Sequence, residues 1–491
     1  MGDFEAAFPE YAATSRLDDL RASDYGYLDA GGHVYLDYTG AGLPSATQLR
    51  AHAARVEGGA YGNPHSENPT SSASTHLVEQ ARAAVLRFFN ASPREYAAIF
   101  TPNATGACRL VAEAYPFRTG KRLVLTADNH NSVNGIREPA RSKGARVRYV
   151  SLTSDLRVNE ADLNAALGRG HGRQPGLFAY PAQSNFSGAR HPLSWIGRAQ
   201  GAGYDVLLDA AAFVPTSRLD LSRVKPEFVT VSWYKVFGYP TGVGCLLVRR
   251  DAMARLRRPW FSGGTIWGVS VQGGWHKLLD SEGAFEDGTV NFLSIPDVTT
   301  GIDWISDVGL ELVGQRVSIL TSWLLQCLAG LKHSNGQPMA RLYGPATMYD
   351  PTAVGSAAQR GGTIAFNFLD PAGNVVDERA VSRDAAAAGI SLRTGCFCNP
   401  GAGEWAFGLS KKAVGGTFAR RLLLRQGFLR SAMTTVDDYL EVVGLATGGA
   451  VRVSVGLAST LADVESFLDF AERTYRDRMP GTGGLAPRLS C

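Results

Sequence analysis

The chain has 491 residues, with 49 Lys and Arg against 45 Asp and Glu, and its net charge of +4 is too small to suggest a dedicated nucleic-acid binder. Hydrophobic residues make up 45% and charged residues 19%, a globular composition that excludes general disorder, and the length predicts two or three domains. No run of about 18 uninterrupted apolar residues exists, so no transmembrane helix is expected, and the acidic opening MGDFEAAFPE lacks the apolar region of a signal peptide. Six cysteines in a chain this long do not make a disulfide framework, and a reduced, cytoplasmic protein is the expectation.

Residues 1–50 predict a peripheral helix and loop, then a short strand, a glycine turn and a helix start in YLDYTGAGLP. Apolar residues at helical spacing predict a helix over 76–91. From AAIFTP onward, short apolar runs alternate with amphipathic helices: RLVLTAD, VRYVSL, GLFAYPAQ, YDVLLDAAA, EFVTVSW and GVGCLLVRR all read as strands. That alternation predicts an α/β domain around a mostly parallel, buried sheet over 51–305. Residues 306–480 predict a smaller α+β domain, opened by one long amphipathic helix in GIDWISDVGLELVGQRVSILTSWLLQCLAGLKH. Residues 1–50 are expected to pack with this smaller domain, 399–450 reads as an insertion or lid, and 481–491 as a disordered tail.

Five residues stand where strands of the first domain end, the place where ligands collect in such sheets. Lys235, in VTVSWYKVFGYPTGVGCLLV, lies between two apolar strands, where desolvation lowers a lysine's pKa and frees a Schiff-base amine. A lysine just past a strand is about as often an ordinary surface residue. Asp209 ends YDVLLD and suits a protonated pyridine nitrogen, or else caps a turn. His130, in ADNHNSV, suits stacking or proton transfer, or is a satisfied turn residue. Thr105 and Gly106 open a helix after a strand, which is a phosphate site or an ordinary N-cap. Together they supply an amine, an anion, a ring partner and a phosphate cradle, the set that pyridoxal 5'-phosphate requires.

With YLDYTGAG, PAQSNFSG, LLDAAAFVPTS, SWYKVFGYPTGVG, FEDGT, RTGCFCNPG and VRVSVG in order from about residue 35 to 470, the chain resembles the class V, cysteine desulfurase-type branch of the fold-type I pyridoxal-phosphate enzymes. Within that branch it is most similar to the desulfurase domain of molybdenum cofactor sulfurases. The resemblance implies a large domain with a mostly parallel seven-stranded sheet and a smaller α+β domain. It also implies that Lys235 holds the cofactor, Asp209 pairs with the ring nitrogen, His130 stacks on the ring and Asn185 hydrogen-bonds the phenolic oxygen. Thr105, Gly106 and Ser232 would bind phosphate, joined by Thr289 across a homodimer. Arg452 would clamp the substrate carboxylate, with Arg393 nearby.

The family spacing after RTG puts the catalytic thiol on Cys398, with Cys396 as its neighbour. One C-x-C pair falls short of a metal site, and no metal is expected. The implied activity is a cysteine desulfurase that moves sulfur from L-cysteine, or a related amino acid, through a Cys398 persulfide and releases alanine. The alternative with the same cofactor is a C–S lyase acting on an S-substituted cysteine. Transamination or epimerisation is a further enzyme reading, and a non-catalytic sulfur-carrier subunit is the reading outside enzymes. Two positions depart from the family pattern: Tyr234 stands where a His is common, and Ala212 where a Gln is common. Sulfurases carry a further domain that these 491 residues do not include, so the expected sulfur acceptor is a separate protein or small molecule. No nucleic-acid or membrane partner is expected.

Overall fold

In the computed structural model, the described residues run from 2 to 488, excepting 65, 169–175, 347–348, 351, 353–358, 410–434, 436, 438–439, 441–446, 480 and 482–483. Most of the 399–450 stretch expected to be a lid, and the last residues of the tail, therefore lie outside the described residues.

The centre is a seven-stranded sheet made of β1 (Tyr96–Thr101), β2 (Arg122–Thr126), β3 (Arg146–Val150), β4 (Gly176–Pro181), β5 (Tyr204–Asp209), β6 (Phe228–Ser232) and β7 (Gly244–Arg249). Its spatial order is β1-β7-β6-β5-β4-β2-β3. All neighbours are parallel except β7, which runs against both β1 and β6. Every residue of β1, β4, β5 and β6 is buried, as the uninterrupted apolar runs require when helices cover both faces. This is the mostly parallel α/β architecture read from the sequence.

Helix α1 (Pro69–Phe88) starts where Asn68 caps the Ser71 N–H and Pro69 takes a first-turn position that needs no donor. Helix α2 (Ala104–Ala114) follows β1 and is capped by Asn103. Two very short helices carry residues that matter below, α3 (Asn131–Asn134) and α4 (Trp233–Phe237). A hairpin of β8 (Ile266–Ser270) and β9 (Trp275–Leu278) leaves Trp267 and Trp275 exposed.

The single long helix expected from residue 301 onward is two helices, α5 (Pro296–Val308) and α6 (Leu310–Gly330). The break is at Gly309, whose φ of 92° is open to glycine and strained for other residues. Apolar periodicity continues across the break, so it gave no warning. A four-stranded antiparallel sheet follows, ordered β10 (Ala340–Tyr343), β11 (Thr363–Phe368), β13 (Ala450–Ser454), β12 (Arg393–Gly395). Helix α7 (Pro400–Ala406) follows β12, and α8 (Leu461–Tyr475) starts from a Thr460–Asp463 capping box.

The first thirty residues are less peripheral than the sequence suggests. Phe4, Phe8 and Leu17 are buried, and Phe4 meets Trp323 of α6 edge-on at 5.5 Å. Arg316 of α6 is fully buried: it forks onto Asp18, donates to Thr14, and lies 4.2 Å above the Tyr11 ring. Among the described residues, no helix is long and apolar enough to cross a membrane.

Candidate functional site

Because β2, β4, β5 and β6 are neighbours and parallel, whatever follows their last residues meets at one edge of the sheet. There a cavity of about 320 Å³ is lined by Thr105, His130, Asn185, Asp209, Ser232 and Lys235, together with Gln183, Ala212 and Tyr234. Six of the residues singled out from sequence thus converge, although they span 130 positions of the chain.

Lys235 sits in the short helix directly after β6 and reaches this cavity and a smaller one beside it. Burial pushes its ammonium below the ordinary lysine pKa; Asp209 opposes that shift, while Arg452 and Arg393 add to it. The result is an amine that gives up its proton more readily than a surface lysine. Asp209 uses Oδ1 to accept from the Ala211 N–H (3.0 Å) and the Thr230 hydroxyl (3.2 Å). Among the described residues Oδ2 has no partner, and it is left for the cavity that Asp209 lines.

His130 caps α3, its Nδ1 accepting the Ser132 N–H at 3.1 Å. A backbone N–H only donates, so the neutral ring carries its proton on Nε2. Burial lowers its pKa, as do Lys235 and Arg452, against the opposing pull of Asp209, which favours the neutral ring. The loop that bears it is braced from below. Asn129 donates to the Thr126 and Ala179 carbonyls of two adjacent strands, and Asp128 pairs with the buried His191 at 2.6 Å. At the other wall, Ser232 Oγ accepts the Ala104 N–H (3.0 Å), which ties the end of β6 to the first turn of α2. The Thr105 and Ser132 hydroxyls meet at 2.7 Å on the same rim. A helix start with three hydroxyls around it is a ready anion cradle.

Arg452 is buried beside this cavity, though it does not line it. It donates to the Asn185 carbonyl (3.0 Å) and to Asp37 Oδ1 (2.8 Å), while Arg393 holds Asp37 Oδ2 at 2.6 Å. One carboxylate thus stands between the two arginines expected to meet a substrate carboxylate. Arg452 also lies 4.8 Å over the Phe397 ring, which links it to the cysteine loop. Phe397 and Cys398 both take left-handed φ values, 54° and 53°, a conformation disfavoured for side chains of this kind. Hydrogen bonds hold them there. Asn131 N–H donates to the Cys398 carbonyl (2.7 Å), and Asn185 Nδ2 donates to the Phe397 carbonyl (2.8 Å). Asn399 Nδ2 donates to the Asp128 carbonyl (2.7 Å) and to Asn185 Oδ1 (3.0 Å), and its own Oδ1 caps α7. Cys398 is exposed and free, whereas Cys396 is disulfide-bonded, which departs from the fully reduced chain expected from the sequence, so Cys398 is the available thiol of the pair.

Gly106 and Thr289 do not line the Lys235 cavity. They line a separate one of about 430 Å³ on the far side of Pro102, with Arg109, Arg258 and Asp287. Asp37, Gln183 and Asn399 were not singled out from sequence. Asn399 carried a usable signal, an Asn-Pro pair at a helix start. Asp37 carried none, because its partners Arg393 and Arg452 lie more than 350 residues away, and Gln183 carried none, because its place beside Lys235 is set by the fold.

A model of the family "Aminotransferase class-V" matches residues 34–467. The chain is 37% identical over 96% of its length to a molybdenum cofactor sulfurase of Bos taurus, and 36% identical over 92% to one of Homo sapiens. It spans only about half of these relatives, 54% and 51% of their lengths. An apo cysteine desulfurase of Thermococcus onnurineus has the same fold, with a TM-score of 0.73 and 22% identity over 93% of this chain and 98% of that one.

Proposed function

Since the chain belongs to the class V aminotransferase family, we propose that it is a pyridoxal-phosphate-dependent cysteine desulfurase that passes sulfur from L-cysteine to a separate acceptor. The observation that carries this is the pairing of a desolvated amine, Lys235, with a free thiol, Cys398, whose loop is tied to the His130 loop.

The residues present fit the cofactor. Lys235 would hold its aldehyde carbon, and Asp209 Oδ2 is available to its ring nitrogen. The hydroxyls of Thr105 and Ser232 with the first turn of α2 suit its phosphate, and neutral His130 suits its ring face. When bound there, it supplies an electron sink for the carbon beside the substrate's amino group. The protein's own part begins at the arginines. Arg452, with Arg393 at its side, receives the substrate carboxylate, and Asp37 keeps both guanidinium planes in place meanwhile. Lys235 Nζ, which burial makes readier to give up its own proton, takes the proton from the substrate's α-carbon. Cys398 Sγ attacks the substrate sulfur as the C–S bond breaks. The bonding pair stays with carbon, which is protonated to alanine, and the sulfur remains on Cys398 as a persulfide. Exposure of Cys398 lets an acceptor reach that persulfide.

The assembly in this proposal is a homodimer. The β8–β9 hairpin supports it by exposing Trp267 at 67%, Val271 at 95% and Trp275 at 52%, an apolar surface that a monomer would not normally leave in water. Thr289, which lines the neighbouring cavity and not that of Lys235, would serve across the interface. The compartment proposed is the cytoplasm. The test is product analysis of the purified protein with L-cysteine and a thiol reductant. Alanine and sulfide in equal amounts are expected. Pyruvate and ammonia would replace the desulfurase with a C–S lyase, for which Cys398 is not needed as nucleophile.

A further inference from the structure

Gln183 follows β4, is 4% exposed, and lines both cavities that Lys235 reaches. Among the described residues, Ala211 and Ala212 share that position with Gln183 and Lys235, so these four form the junction between the two spaces. A methyl at 212 leaves room there that a longer side chain would fill.

The Gln183 amide is held in one orientation. Arg190 Nε donates to its Oε1 at 2.9 Å, and Arg190 is itself anchored to the Thr216 hydroxyl (3.2 Å) and packed 5.3 Å over the Phe213 ring. A guanidinium only donates, so flipping the amide would set N–H against N–H. On another side Gly361 closes the space: a Cβ there would lie 2.0 Å from Oε1, so the backbone packs directly on the amide. With Oε1 committed to Arg190, Nε2 carries two donors, and among the described residues none of them meets an acceptor. Nε2 is also absent from the buried polar atoms that lack partners, which places it on a cavity wall and not in sealed protein.

Asn185, expected from the sequence to serve the cofactor's phenolic oxygen, has its amide largely engaged elsewhere. Its Oδ1 accepts from Asn399, and one of its two N–H groups goes to the Phe397 carbonyl. We propose that the Gln183 amide is a cofactor-binding donor: locked by Arg190 and Gly361 and given room by Ala212, it hydrogen-bonds the phenolic oxygen of pyridoxal phosphate beside Lys235. This extends the functional proposal above and depends on Lys235 holding the cofactor.

A donor on that oxygen stabilises its negative charge and lowers the proton affinity of the nitrogen that Lys235 contributes. The other charged or titratable groups around this nitrogen are Asp209, His130, Tyr234, Arg452, Arg393, Asp37 and, behind Gln183, Arg190. The experiment is a pH titration of the visible absorbance of the loaded enzyme, with the dissociation constant of pyridoxal phosphate measured alongside. Gln183→Leu removes the donor. Gln183→Glu keeps the volume and the bond to Arg190, so it preserves folding while replacing the donor with an anion. Both midpoints are expected to rise, by about one pH unit for Leu, which is about tenfold in proton affinity, and further for Glu. An unmoved midpoint in both variants, even with weaker cofactor retention, overturns the proposal and leaves Gln183 a structural role. An unaltered protein without any pH-dependent visible absorbance would instead defeat the assignment of Lys235, and this inference with it.

Discussion

Lys235 and Cys398 are the two reactive groups of the proposed site, and the fold treats them in opposite ways. Lys235 sits one turn beyond a fully buried strand, among Asp209, Gln183 and Ser232, each at or just past the end of a core strand. Cys398 is exposed, on a left-handed backbone pair held by hydrogen bonds from Asn131 and Asn185. The amine needs desolvation to be reactive, and only a core supplies that. In the proposed reaction the thiol delivers sulfur outward, and it is carried on an exposed loop position. Asn185 belongs to both regions: its carbonyl accepts from Arg452 and its side chain holds the cysteine loop.

Substitutions separate the two regions. The largest effect is expected from Lys235→Ala, which should abolish both turnover and the visible absorbance of bound cofactor; an active variant would break the assignment. Cys398→Ser should lower desulfuration by about 10³-fold or more and leave that absorbance unchanged. Persulfide detected by mass spectrometry on another cysteine of this variant would remove Cys398 from its role. Asn399→Ala should act chiefly on the cysteine loop, although it also removes the bonds to the Asp128 carbonyl and Asn185 Oδ1. It loses a helix cap at about 1 kcal/mol, and persulfide formation should slow about tenfold as the loop leaves its geometry, with cofactor affinity unchanged. An equal loss of cofactor affinity would mean that the two regions are not separable.

The smallest effect concerns His130. Its folded pKa lies below the ordinary 6.5, chiefly through burial. The unfolded chain therefore takes up a proton near pH 6.5 that the folded chain accepts only at lower pH. The stability contributed by keeping this ring neutral is complete above pH 6.5 and is lost as pH falls through the folded value. In thermal melts across that window His130→Gln should flatten the acid-side decline; an unchanged pH profile would mean that the ring is not held neutral by its surroundings.

The central sheet was legible because buried parallel strands are read as unbroken apolar runs, and the strand-end rule then pointed to Thr105, His130, Asp209 and Lys235. The break at Gly309 was not legible, since an apolar stripe continues through a residue whose own φ ends the helix. Nor was the depth of the N-terminal segment, which is set by Arg316 some 300 residues away.

By itself, then, the sequence determined the class of fold, the strand ends where chemistry collects, and the residue types able to hold a phosphorylated pyridine aldehyde beside a thiol. All of these follow from local pattern, because periodicity and chain order act over a few residues at a time. Only the tertiary structure decided which partners those residues keep. Asp37 stands between Arg452 and Arg393, Asn399 bridges the His130 loop and Asn185, and Arg190 fixes the orientation of the Gln183 amide. Those contacts join positions from 7 to more than 400 residues apart, and hydrogen-bond direction and desolvation exist only once the chain has brought them together.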